Sequence, residues 1–165
     1  MGITTKGEEM APPKETYTHK DYSEEAKTRL QEMLAETAET RELLDKLDSQ
    51  LATTAAPTND TLKEWARQAV GKGNYLRKKY AKLDAAATNE KDARYMEIKI
   101  ECEEKGISFV DSSTKIEAEG YIAPLRTIRN IFEAYVISAD NIVSVCRMHL
   151  ASQLKEQAAS AAADV

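Results

Sequence analysis

The stretch YIAPLRTIRNIFEAYVISADNIVSVC, residues 121–146, decides the fold. Within it Tyr121, Leu125, Ile128, Phe132, Tyr135, Ala139, Ile142 and Cys146 recur at alternating steps of four and three, which lines them along one side of an α-helix. This is the spacing of a coiled-coil-like seam. Ile131, Val136, Val143 and Val145 widen the apolar surface beyond what one partner helix covers. Tyr121, Leu125, Ile128, Phe132, Tyr135, Ile142 and Cys146 are therefore the expected oligomerisation contacts, on a helix running from about residue 113 to 155. Pro124 stands inside that helix, where proline costs about 3 kcal/mol, but its clash falls on Gly120, the residue most able to bend away. The expectation is a kink near Gly120 or a helix that starts only at Pro124.

Toward the N-terminus, Asp111, Ser112 or Ser113 is placed to cap this helix, after a short extended connector at 107–110. Gly106 closes the preceding helical stretch, 90–105, with Lys105 in its last turn against the negative end of the dipole. Further upstream a helix opens near Thr61 and sets Leu62, Trp65, Ala69, Leu76, Tyr80 and Leu83 on one face. Gly71 and Gly73 interrupt it, each at a cost of about 1 kcal/mol relative to alanine, and mark a bend, a fray or a close helix crossing. The pattern leaves open whether 85–89 is a joint within one long helix or a turn. Residues 52–60, with Pro57 and the Asn59-Asp60 pair, read as a break and a reversal of direction. A first helix begins at Ser23, read as its cap, with Glu24 and Glu25 in the first turn. Its seam of Ala26, Leu30, Met33, Thr37, Thr40, Leu44, Leu47 and Leu51 is weakest at the two threonines.

The expected architecture is thus all-α: long helices in a hairpin or bundle with coiled-coil-like seams, assembled into an oligomer. Residues 1–22 read as a flexible arm, 23–155 as the helical assembly domain, and 156–165 as a disordered or frayed alanine-rich tail. The 165 residues are one domain's length, and with 42% apolar and 31% charged residues they suit striped helices better than a layered globule. No stretch nears the roughly 18 apolar residues that span a membrane, and residues 1–20 lack the apolar block of a secretory signal, so a cytoplasmic address is expected. Cys102 and Cys146 lack metal-type spacing and read as reduced, buried thiols. His19 and His149 stand apart from any ligand motif. Gly71-Lys72-Gly73 is too short for a phosphate loop. No catalytic residues, metal or cofactor are expected, and the chain reads as a non-enzyme.

The net charge of −5 is unevenly spread. Between Leu62 and Lys82 stand Lys63, Arg67, Lys72, Arg77, Lys78, Lys79 and Lys82 against the single acid Glu64, while the flanking segments are acidic. Trp65, Tyr75 and Tyr80 interleave with these cations. Phosphate neutralisation along a groove and aromatic stacking of bases are what a single strand of DNA or RNA requires. Lys63, Trp65, Arg67, Lys72, Tyr75, Arg77, Lys78, Lys79 and Lys82 are the expected nucleic-acid contacts. The competing reading pairs these cations with the acidic first helix or with Glu97, Glu101, Glu103 and Glu104, and makes the aromatics core. Arg126, Arg129 and Arg147 offer to extend a basic surface.

The basic helix (Tyr75-Leu76-Arg77-Lys78-Lys79-Tyr80), the hinge Val110-Asp111-Ser112-Ser113 and the last helix with Tyr121, Ile128, Tyr135 and Ile142 seven residues apart form a pattern over 61–154. It resembles the small recombination mediator proteins of tailed phages, the UvsY-like family. The resemblance implies a ring-shaped homo-oligomer in the host cytoplasm. Such an oligomer binds single-stranded DNA and helps to load a recombinase, with the basic helix on DNA and the last helix between subunits. The acidic first helix and the N-terminal arm depart from that pattern. A reading of another class is a structural or regulatory oligomer, such as a virion component, an assembly scaffold or an inhibitor of a host partner. It would recruit protein through the first helix's seam and bind no nucleic acid.

Overall fold

A computed structural model describes residues 15–163. Four helices account for nearly all of them: α1 (Ser23–Glu36), α2 (Ala38–Thr53), α3 (Asn59–Lys105) and α4 (Asp111–Ala163). The described residues form no strand, only an isolated bridge between Thr16 and Ser108, so the fold is all-α. No described helix is long and apolar enough to cross a membrane.

α3 and α4 form an antiparallel hairpin of about 70 and 80 Å at 1.5 Å per residue. Thr58 caps α3 by accepting the Thr61 N–H at 3.2 Å, and Asp60 adds negative charge to its first turn. α3 ends at Gly106, whose φ of 64° is the left-handed conformation that glycine adopts without penalty. There the Gly106 N–H donates to Glu103 and the Ile107 N–H to Cys102, satisfying two terminal carbonyls. The stretch 85–89 lies inside α3, which makes it a joint in one continuous helix. Gly73 is a close crossing: a Cβ built on it would come within 2.8 Å of the Ala139 Cβ on α4. Gly71 has nothing within 4 Å, and the helix continues through both.

α4 begins earlier than its capping residues suggested. Asp111, Ser112 and Ser113 occupy its first turn, and the Val110 carbonyl accepts the first helical N–H, from Thr114. Asp111 instead receives the Tyr95 hydroxyl at 2.6 Å and Lys115 at 2.7 Å. The helix runs through Pro124 and does not start there. Pro124, which offers no N–H to the Gly120 carbonyl, is buried, while Gly120 is exposed. The tail segment 156–163 continues α4 as helix, as its alanine content favours, with 156–162 exposed; residues 164–165 lie outside the described residues.

The first helical region is two helices, because the seam breaks at Thr37. The Thr37 hydroxyl donates to the Met33 carbonyl, and Arg41 reaches back to the Leu34 carbonyl at 2.9 Å. These side chains satisfy carbonyls that the broken ladder leaves open. Ser23 is the first helical residue of α1, with Tyr22 at the cap position and no side-chain cap bond. α1 and α2 run antiparallel to α3, with Arg29 bidentate on Glu90 and Glu36 paired with Lys79. They run parallel to α4, where Tyr22 stacks edge-on with Tyr121 and Asp45 receives the Tyr135 hydroxyl.

The core lies where these helices meet. Leu44 and Leu47 of α2, Leu62, Leu76 and Leu83 of α3, and the α4 seam close a single apolar cluster. Leu125, Ile128, Phe132, Ile142 and Cys146 are essentially inaccessible, and Tyr121 and Tyr135 pack against the same cluster. The residues expected to join subunits therefore face α1, α2 and α3 of their own chain. The physical reason is that the helices upstream supply enough apolar surface to cover the widened seam within one molecule.

Beyond the reach of α1, the hairpin tip is covered by the last eight residues of the expected arm. Residues 15–22 lie along it outside any helix, the Glu15 carbonyl accepting the Ser108 N–H at 3.0 Å. Residues 1–14 of that arm lie outside the described residues. Under this strap is a buried ion pair: Arg94 donates to Glu117 at 2.8 Å, with only 2% of the Glu117 side chain accessible. His19 and the Tyr17 and Tyr22 hydroxyls converge on the same carboxylate, and Arg94 lies over the Tyr22 ring. Burial alone pushes the Glu117 carboxyl up. Hydrogen bonds from Arg94 and His19 outweigh it and hold the group below the usual carboxylate range. Burial and the Glu117 charge push the Tyr22 hydroxyl up to about 12.

Candidate nucleic-acid interface

The cations of 62–82 all stand on α3, and the helix distributes them by register. Trp65 and Tyr80 are half-buried and pack against the core cluster, so much of each ring is taken up within the fold. Lys79 faces α1 and pairs with Glu36, its ammonium also lying 5.7 Å from the centre of the Tyr75 ring. The Glu36 hydrogen bond raises the Lys79 pKa. Arg77 faces α4 and binds Asp140 through two contacts at 2.9 and 3.1 Å. These two cations follow the internally paired reading, although the partner of Arg77 lies on α4 and not among the glutamates of 97–104.

The others face outward. Arg67, Gly71, Tyr75, Lys78 and Lys82 succeed one another at steps of four, four, three and four along the solvent side of α3, and all are exposed. Lys78 and Lys82 have no ion-pair partner among the described residues. Arg67 pairs with Glu64 one turn back, an exposed contact worth little, although the Arg67 and Gln68 hydrogen bonds hold the Glu64 carboxyl down at about 2. Lys63 stands 3.7 Å from Asp60, both exposed. Lys72 is half-buried beside this row, in an open concavity of about 560 Å3 shared with Tyr75, Arg67, Glu36 and Glu39.

The geometry therefore brings Arg67, Lys72, Tyr75, Lys78 and Lys82 onto one accessible strip and withdraws Trp65, Arg77 and Lys79 from it. Of the three α4 arginines, Arg126 is held by Glu119 and Arg129 by Asp84 at 2.8 Å. Arg147 stays exposed across a shallow groove from Asn74 and Arg77, and extends the positive surface toward α4. Among the described residues no three His, Cys, Asp or Glu side chains converge to hold a metal ion. Cys102 and Cys146 are both buried and unpaired.

Two features were not singled out from the sequence. The Arg94–Glu117 pair and its tyrosines give no local signal, because 77 residues separate Tyr17 from Arg94. The second is the outer face of α4, where Ile116, Ile137 and Met148 are 73%, 55% and 65% exposed. Its signal was the register two residues beyond the inner seam. No protein-family model, curated protein or solved structure matches this chain.

Proposed function

We propose that the protein is a non-catalytic, self-assembling helical protein that binds single-stranded DNA along the outward strip of α3. The observation that carries this reading is that Arg67, Lys78 and Lys82, with Tyr75 between them, are exposed along one side of α3, with half-buried Lys72 beside them in a concavity shared with Glu36 and Glu39. A row of cations at helical pitch neutralises successive phosphates, and an exposed tyrosine among them offers a face for one base. The likeness to phage recombination mediators supplies the biological setting: a recombinase as protein partner, with the DNA-bound oligomer assisting its loading in the host cytoplasm.

Fluorescence anisotropy with a labelled oligothymidylate tests this. Binding should be measurable at low salt and fall by one to several orders of magnitude as salt rises from about 50 to 200 mM. Lys78→Ala with Lys82→Ala should weaken it more than Arg77→Ala with Lys79→Ala, because the latter two cations are already engaged by Asp140 and Glu36. Tyr75→Ala should weaken binding by roughly 1–3 kcal/mol if it stacks on a base. Absence of binding at low salt removes this reading.

A second reading, a structural or regulatory assembly protein without nucleic acid, is favoured by the uncharged outer face of α4. Under it that face would engage protein, and the α3 cations would serve only solubility and local pairing.

A further inference from the structure

We infer that the outer face of α4 is the contact between two copies of this chain, packed antiparallel about a two-fold axis near Glu133. The inference deepens the self-assembly part of the proposed function and stands apart from nucleic-acid binding.

The inner seam of α4 advances through 121, 125, 128, 132, 135, 139, 142 and 146. Two residues further at each step, about 200° around the helix, runs a second series with the same alternation. It extends from Ile116 through Gly120, Ala123, Ala134 and Ile137 to Met148, every member exposed. Its remaining members are Thr127, Asn130, Asn141 and Ser144, also exposed. None of them carries a charge, in a chain with 31% charged residues whose α4 holds seven between 116 and 148. A solvated helix face ordinarily gathers the charge, whereas here all seven lie elsewhere on the helix. The face is about 50 Å long and a helix width of about 10 Å across. That is roughly 500 Å2 per chain, which reaches the threshold of about 1,000 Å2 in total for a specific contact. Small residues between the large ones let two backbones approach closely.

The flanking charges select both the occupant and its direction. Beside the face stands a column at seven-residue intervals: Glu119, Arg126, Glu133, Asp140 and Arg147. Reversed about Glu133, the column matches itself, Glu119 against Arg147 of a second copy and Arg126 against Asp140. Within one chain Arg126 already pairs with Glu119 and Asp140 with Arg77, so Arg147 is the cation that enters the contact without an ion-pair partner among the described residues. In a parallel pair it would face the opposite edge, where Pro124, Ile131, Ser138 and Val145 offer no charge. The ends of the face also match. Near Ile116, Gly120 and Ala123 lies an open groove of about 680 Å3 walled by Tyr22 and His19. The antiparallel register brings the second copy's Met148 level with it. The one unfavourable contact is Glu133 against its own copy on the axis.

Sedimentation velocity on the full-length chain tests the contact. Wild type should sediment at twice the chain mass, and Ile137→Glu or Met148→Glu at the single-chain mass with unchanged helicity by circular dichroism. The antiparallel direction is read separately: Glu133→Gln should tighten the dimer several-fold, and Arg147→Glu should weaken it about tenfold. A single-chain mass for wild type, or a dimer mass for Ile137→Glu, overturns the interface. No change in either charge variant overturns the direction. Anisotropy on the same samples keeps the readings apart. Loss of DNA binding by Lys78→Ala with Lys82→Ala at dimer mass leaves the contact standing. DNA binding by a wild-type chain of single-chain mass leaves the nucleic-acid reading standing and removes the contact.

Discussion

On the inner face of α4, Leu125, Ile128, Phe132 and Ile142 are large, branched or aromatic, and all are closed off by helices of the same chain. Two residues along, the outer face carries Gly120, Ala123, Ala134 and three long apolar side chains, and it is open. Equal periodicity thus serves two different ends. Large residues at four-and-three spacing need an enclosing bundle, and α1 to α3 provide it. Small uncharged residues at the same spacing add little to the fold of one chain and suit close approach of a second helix. Periodicity locates a face, and side-chain size and the absence of charge tell which kind of partner it takes.

The largest expected effect is on the inner face. Ile128→Asp places an unpaired charge at a fully inaccessible position and should abolish the cooperative thermal transition followed by circular dichroism. An equivalent charge at Ile137, 55% exposed, should leave that transition in place. If both variants melt alike, the distinction between the two faces fails.

The hairpin tip comes next. Glu117→Ala would leave Arg94, under the strap of 15–22, with the exposed Glu97 as its remaining carboxylate partner, and should cost about 3 kcal/mol in urea unfolding. Because the fold lowers the Glu117 pKa below 4.5, the unfolded chain takes up the proton first as pH falls. This part of the stability is therefore complete above about 4.5 and lost as the pH drops through the folded-state value. The urea midpoint of wild type should fall further on acidification than that of Glu117→Ala.

Two glycines give the smaller effects, of opposite sign. Gly73→Ala meets Ala139 at 2.8 Å and should destabilise by about 1–3 kcal/mol as the crossing opens. Gly71→Ala meets nothing and should stabilise by up to about 1 kcal/mol. Thermal midpoints moving in the same direction would contradict a crossing at Gly73.

The inner seam of α4 and the Gly106 stop were legible because each rests on local chemistry: a repeat in one case, a left-handed residue in the other. The continuity of α3 was not. A glycine that permits a crossing and a glycine that merely weakens a helix look alike until Ala139 is placed opposite one of them. The same limit explains the subunit contacts expected at Ile128 and Phe132, where the width of the apolar surface gave no hint that its cover lay upstream in the same chain. For the basic island, composition marked the helix but not its rotation, and rotation is what sends Trp65 and Lys79 inward and leaves Lys78 and Lys82 on the strip. The strap over Arg94 and Glu117 joins segments too distant for any local pattern to link.

Native mass spectrometry of the full-length chain, with and without an oligothymidylate, tests the central claim most directly, that α4 is closed on one face and shared on the other. The account predicts twice the chain mass, with the mass of bound oligonucleotide gained at low salt. A single-chain particle, unchanged by the oligonucleotide, would contradict it.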